Sequence, residues 1–142
     1  MPEKRPAAIV AREVKARTGT IYPPPYAAAL AGREKRVLGD VFGLTQFGVN
    51  LTTLLPGAWS AQRHWHERED EFIYVLEGEI VLVDDAGEHV LREGMCARGI
   101  AYGILLRLRA IRILPESWKM ARGGWDGRFS GVLFWSGGPA LG

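Results

Sequence analysis

The chain has 142 residues, of which 47% are hydrophobic and 24% charged, a composition ordinary for one compact globular domain. No apolar run approaches the ~20 residues of a membrane helix. The only cysteine, Cys96, cannot form an internal disulfide or a thiolate zinc cluster. We therefore expect a protein of the reducing cytoplasm without a membrane partner.

The net charge of +2 conceals a partition of the chain into three segments. Residues 1–36 hold eight basic and three acidic residues, residues 37–97 three basic and eleven acidic, and residues 98–142 seven basic and two acidic. Basic ends can bind nucleic acid, but these bases are scattered among Gly, Pro and Trp without a recognisable module. We expect no nucleic-acid partner, and we predict an N-terminal arm at 1–36, a core at 37–97 and a divergent segment at 98–142.

The N-terminal arm combines a proline run with a charge run. Three successive prolines within Ile21–Tyr26 require an extended backbone there. The charged stretch Gly32–Arg36 is most simply a solvated segment.

From Val37 the hydrophobic pattern has a period of two, which indicates strands. Turn residues at Pro56–Gly57, Gly78 and Ala86–Gly87 separate the apolar runs. The predicted strands are Phe47–Leu55, Trp59–His66, Glu71–Glu77, Glu79–Asp85 and Glu88–Gly94. Short strands at this spacing indicate an all-β, antiparallel sandwich or barrel.

The strand that begins at Glu71 has two apolar faces. Ile73 and Val75 share the face of Glu71, which we expect to be interior. The other face carries Phe72, Tyr74 and Leu76. An apolar outer face needs cover from the arm or from a second copy of the chain, and we predict a homodimer.

Two of the three histidines, His64 and His66, are separated by one residue. On a strand they point to the same face, with their roots about 6.5–7 Å apart. After a reversal through the acidic turn at residues 67–70, Glu71 opens the neighbouring strand and can return to the same site. Two imidazoles and one carboxylate suit Fe(II), Mn(II), Ni(II) or Zn(II). The pattern predicts a divalent metal site.

These residues carry a resemblance to a known family. The stretch "GAWSAQRHWHEREDEFIYVLEGE" resembles the first motif of the cupin family, in which H-x-H is followed by a glutamate and, after six intervening residues, by a glycine, here Gly78. It is most similar to small single-domain bacterial cupins described as sugar-phosphate-isomerase-like. The resemblance covers residues 37–97. It implies a double-stranded β-helix, a jelly-roll-like barrel that holds a metal by His64, His66 and Glu71.

The second cupin motif, a Pro-x-Gly followed by a histidine that is the fourth ligand, is missing. It should begin near Gly94, but no histidine follows His89. The segment 98–142 has nine Gly, six Arg and three Trp, and no Asn or Thr. Two interpretations stay open, a divergent three-ligand cupin or a reading-frame change after Ala97, and we favour the second. A neighbouring frame that encodes Pro-x-Gly and a histidine after codon 97 would identify it.

Because the second motif is missing, the barrel is expected to be incomplete or irregular after residue 97. The tail nevertheless contains two further candidate elements. Residues Ile104–Leu114 fit either a strand or an amphipathic helix. Residues Phe129–Trp135 fit a strand.

The resemblance leaves several functions open, because one fold hosts many chemistries. A metal-dependent isomerase acting on a small, sugar-like molecule is the leading interpretation, with a dioxygenase as another cupin activity. Glu71 would then be a metal ligand or, as the second choice, a base. A non-catalytic ligand-binding or regulatory cupin and a degenerate cupin without activity are the alternatives. His89 is expected at the surface or rim, with replacement of the missing ligand as its other role.

Overall fold

The structure is a computed structural model that describes residues 4–20, 23–60, 70–84, 86–99, 107–110 and 128–136. Strands dominate these residues, as the sequence predicts. The elements are β1 (Arg33–Val37), α1 (Leu38–Phe42), β2 (Phe47–Leu54), β3 (Asp70–Glu77), β4 (Ile80–Asp84), β5 (Gly87–Leu91), β6 (Cys96–Gly99), β7 (Arg107–Ala110) and β8 (Phe129–Ser136). Within the described part of the chain, no helix has the length and apolar character needed to cross a membrane.

The strands form two antiparallel sheets. One has five strands in the order β1-β2-β8-β3-β6, and the other has three in the order β5-β4-β7. The strands β2 and β3 follow each other in sequence but are separated in space, since β8 lies between them. Such crossed connections between two sheets are those of a jelly roll, and the predicted all-β fold class is confirmed.

The hydrophobic core lies between the two sheets. Strand alternation sends every second side chain of each strand into this space. The five-stranded sheet and the loop after β2 contribute Leu54, Ala58, Ile73, Val75 and Phe129, and the three-stranded sheet contributes Ile80, Leu82 and Leu91. These side chains define the inward face of each strand, which fixes the orientation of every polar residue that alternates with them.

The divergent C-terminal segment supplies two of the eight described strands. Residues Arg107–Ala110 pair with β4, which resolves the ambiguity between strand and helix for these four residues. Residues Phe129–Ser136 pair along their length with both β2 and β3. The strand predicted at Phe129–Trp135 is therefore present, and it is central to the larger sheet.

The N-terminal arm is attached to the larger sheet at two points. Arg17 and Lys35 exchange backbone hydrogen bonds of 2.8 and 2.9 Å, which extends the sheet beyond β1. Further up the arm, the Arg12 guanidinium lies 3.7 Å from the Glu77 carboxylate at the end of β3. The arm thus reaches across the outer side of the sheet, and the strand β1 itself starts before residue 37.

A glycine in β8 permits tight packing at the centre of the larger sheet. A methyl group at Gly131 would lie 2.5 Å from Cζ of Phe129 and 2.9 Å from the backbone oxygen of Tyr74. We expect Gly131→Ala to lower the free energy of unfolding by about 2 kcal/mol, because overpacking must displace a buried ring or the backbone. The matched control is Gly19→Ala, since no atom lies within 4 Å of the added methyl group. Equal urea midpoints for the two variants would contradict this prediction.

Candidate functional site

The carboxylate of the candidate metal site lies on the inward face of the larger sheet. Along β3, Ile73 and Val75 are buried, whereas Phe72 and Tyr74 are exposed. Glu71 has the parity of the buried pair and is itself half-buried. The expected orientation of this strand is confirmed. Neighbouring strands place Gly99 of β6 and Trp135 of β8 opposite Glu71 in the backbone register.

The two histidines, His64 and His66, lie outside the described residues, which end at Ser60 and resume at Asp70. Their convergence with Glu71 therefore stays a prediction. Among the residues that are described, no group of three or more His, Cys, Asp or Glu side chains is arranged to hold a metal ion. The metal site that the sequence predicts accordingly depends on the histidine pair.

Arg33 holds the segment that leads to the histidine pair. Its Nη1 donates a hydrogen bond of 2.7 Å to the carbonyl oxygen of Ser60, and Nη2 donates one of 3.2 Å to that of Gly19. The backbone amide of Trp59 also donates to the carbonyl oxygen of Ala29. The N-terminal segment thus fixes the chain just before the histidines.

The prediction that the charge run Gly32–Arg36 is solvated was wrong for Arg33, which is only 8% exposed. The run forms strand β1, in which Arg33 has the inward parity of Val37. No local pattern signals this burial, because the four residues before Val37 are all charged. A guanidinium tolerates this burial because its Nη1 and Nη2 groups donate to backbone carbonyls.

The third histidine, His89, lies at the rim of the smaller sheet. Its side chain is 45% exposed, and its Nε2 donates a hydrogen bond of 3.0 Å to Oδ1 of Asp84 across the β4–β5 hairpin. The expected surface or rim position is confirmed. In this arrangement the imidazole stabilises the hairpin by binding Asp84.

The same hydrogen bond lowers the pKa of Asp84 below its ordinary value of 3.8, with a smaller contribution from the backbone amide of Ala86. A carboxyl group whose folded-state pKa is depressed stabilises the fold above its ordinary pKa, and this contribution is lost as the pH falls through the folded-state value. We expect His89→Ala to shift the Asp84 titration upward, toward 3.8. Carboxyl-carbon NMR measures this pKa directly. An Asp84 titration that is the same in both proteins would contradict the assignment of the shift to His89.

Sequence reasoning missed a polar strip on the inward face of β1 and β2. Asn50 and Thr52 are buried, and they have the parity of the core residue Leu54. Lys35 stands directly opposite Thr52 in the register, on the same face. Polar residues alternating with Val49, Leu51 and Thr53 were visible in the sequence, but their burial depends on which face of β2 meets the second sheet.

Comparisons with known proteins identify relatives of this chain. A family model described as a cupin domain matches residues 50–99, from β2 to the end of β6. A cupin-superfamily sugar phosphate isomerase from Silicibacter pomeroyi is 36% identical, with a TM-score of 0.79 over 93% of this chain and 76% of that protein. None of the curated proteins is significantly similar.

Two more distant structures share the fold alone. A proposed sugar phosphate isomerase from Acidithiobacillus ferrooxidans is 18% identical, with a TM-score of 0.68 over 92% of this chain and 74% of that protein. The polyketide cyclase RemF from Streptomyces resistomycificus is 22% identical, with a TM-score of 0.65 over 94% of this chain and 81% of that protein. Because proteins with such different names share this architecture, the fold does not identify the chemistry, which must be argued from the site residues.

Proposed function

Because this chain belongs to the cupin family, we propose that it binds a divalent metal ion and a small, sugar-like ligand inside its barrel. The inward position of Glu71 carries the proposal. Glu71 has the parity of the buried Ile73 and Val75, which supports a carboxylate on the strand face that bounds the interior. A reducing cytoplasmic location agrees with the lone, exposed Cys96.

The donor set fits a divalent metal. His64, His66 and Glu71 would supply two imidazoles and a carboxylate, a set used for Fe(II), Mn(II), Ni(II) and Zn(II). When bound, such an ion polarises a carbonyl or hydroxyl oxygen of a ligand. Arg33 acts beside this site as a positioning residue, because it holds Ser60 and thereby the start of the segment that carries both histidines.

Isomerisation of a sugar-like substrate is the activity that we propose for the loaded site. The support is similarity to the Silicibacter pomeroyi protein named as a sugar phosphate isomerase, at 36% identity. An aldose–ketose interconversion moves a proton between neighbouring carbons, so it needs a base close to the substrate. Glu71 is first a metal ligand in this proposal, and its role as base is the alternative.

A non-catalytic binding protein is the second candidate, favoured by the missing fourth ligand. No histidine follows His89 in the sequence, and His89 is bonded to Asp84. A three-ligand site can hold a metal and a ligand without the fourth ligand that the cupin resemblance implies.

Aldose 6-phosphates supplied with each metal in turn distinguish the two candidates. We expect NMR to show slow formation of the ketose 6-phosphate by the wild type and none by Glu71→Gln. Binding of glucose 6-phosphate without conversion would support the non-catalytic protein. Conversion at equal rates by wild type and Glu71→Gln would refute the assigned site.

A further inference from the structure

Two buried side chains on the inward face of β2 have unsatisfied oxygens. Asn50 is 5% exposed and Thr52 is 2% exposed. Neither Oδ1 of Asn50 nor Oγ1 of Thr52 has a hydrogen-bond partner in the described part of the chain. Buried polar groups are normally paired, because an unpaired one loses its bond to water without replacement. Two unpaired oxygens on one strand face therefore need a partner from outside the described strands.

The position of these oxygens suits a small ligand in the proposed site. Leu133 of β8 is paired with Asn50 on one side and with Ile73 on the other. Glu71 lies two residues before Ile73 in β3 and therefore has the same inward face. Two strand spacings separate β2 from β3, which amounts to roughly 10 Å across the sheet. A ligand about the length of a six-carbon sugar phosphate could touch both Glu71 and the polar strip.

Charge at the end of the strip favours an anion. Lys35, opposite Thr52, is half-buried. Arg33 lies two residues earlier in β1 and has the same inward face. Burial first, and then the nearby Arg33 and Arg17, lower the pKa of Lys35, while Asp40 acts in the opposite direction. Three cationic side chains near one carboxylate leave an excess of positive charge at this end.

We propose that the polar strip of Lys35, Asn50 and Thr52 binds a polyhydroxylated organic anion. The amide and hydroxyl of Asn50 and Thr52 would bind hydroxyl groups of the ligand, and the Lys35 ammonium would bind its phosphate or carboxylate. The inference rests on the proposed function, because it places the ligand in the same interior. It goes further by assigning the ligand's charge and the residues that recognise it.

Thr52→Val removes the hydroxyl with little change in shape. In the free protein we expect its melting temperature to rise, because an unpaired buried oxygen is gone. In isothermal titration we expect its Kd for glucose 6-phosphate to rise about 3- to 10-fold, the value of one hydrogen bond.

Thr53→Val is the matched control on the opposite face of β2. The hydroxyl of Thr53 shares a hydrogen bond of 3.3 Å with that of Ser130. We expect this variant to lower the melting temperature and to leave the Kd unchanged. Opposite effects of two adjacent threonine substitutions could not arise from general destabilisation of β2.

Lys35→Met and four probes test the charge of the ligand. Glucose 6-phosphate and gluconate distinguish a phosphate from a carboxylate. Glucose contains only the hydroxyl groups of such a ligand, and inorganic phosphate contains only the anionic group. We expect the wild type to bind one of the two hydroxylated anions at least about 10-fold more tightly than glucose, and Lys35→Met to lose that preference. Retention of the preference by Lys35→Met would overturn the assignment of this residue.

The titrations are run with metal-free and metal-loaded protein, so that the inference and the metal site fail separately. Binding of a hydroxylated anion by wild-type protein that takes up none of the offered divalent metals would keep the polar strip and refute the metal site. Absence of binding by both anions would overturn the inference at any metal content. An unchanged Kd in Thr52→Val, together with a raised melting temperature, would overturn it too and assign only water to the strip.

Discussion

His64→Ala is expected to bind no divalent metal, and the wild type is expected to lose its metal on dialysis against a mild chelator. The sequence offers three protein ligands, since no histidine follows His89. Loss of a supporting contact already costs a metal site 10- to 100-fold in affinity, and removal of one of three direct ligands should cost at least about 100-fold. Metal content of both proteins before and after dialysis, measured by mass spectrometry, gives the result.

His89→Ala is the matched control for His64→Ala. Both variants remove one imidazole, but the His89 ring is bonded to Asp84 at the rim, so this variant should lose as much metal as the wild type and no more. Circular dichroism would establish that both variants fold. If the wild type keeps one equivalent of metal through chelation, a ligand has been missed, and a reduced content in His89→Ala would identify it.

Tyr74→Glu is expected to convert a dimer into a monomer. The outward face of β3 presents Phe72, Tyr74 and Leu76 with 41%, 41% and 45% of their surface exposed. On the same face of β2, Leu51 is only 3% exposed. The arm, which reaches Lys35 and the Glu77 end of β3, therefore leaves Phe72, Tyr74 and Leu76 exposed.

We propose a second copy of the chain as the cover. The patch lies one strand from β6, the edge of the sheet, and exposed apolar faces beside open edges are sites of self-association. A charge in the centre of an apolar interface should raise the dimer dissociation constant roughly 30-fold or more. Sedimentation at micromolar concentration measures this, and Val90→Glu on the other sheet, 42% exposed, is the control.

The lone thiol offers a second readout of the dimer. Cys96 is exposed and stands opposite Tyr74 in the register of β6 and β3. Its rate of labelling should fall as the wild-type concentration rises, but should stay constant in Tyr74→Glu. A wild type that sediments as a clean monomer, with a constant labelling rate, would exclude the dimer.

The strands with one buried face were predictable from the sequence. In β3, Ile73 and Val75 alternate with aromatic residues, and burial of one face preserves this period. The positive φ of 82° at Gly78 also agrees with the turn predicted there. Local pattern and tertiary packing agree in this part of the chain, which is also where the cupin motif lies.

Other features depend on partners that are distant in sequence. The charged strand β1 forms because it pairs with β2, and no local propensity would favour it. The four residues of β6 are ordered against β3. In β2 the face with Asn50 and Thr52 points inward, although the opposite face carries Phe47, Val49 and Leu51. Hydrophobicity alone would choose the wrong face, because two of the inward residues of this strand are polar.

The central position of β8 has a consequence for biosynthesis. The strands β2 and β3 are synthesised before β8 (Phe129–Ser136), which lies between them in the sheet. A nascent chain that has emerged only through β6 therefore exposes two unpaired strand edges and lacks the fully buried Phe129 ring. Open edges of this kind pair readily with other chains. Interrupted translation before codon 129 should thus yield an aggregating product, and the sheet closes only as the last described strand is made.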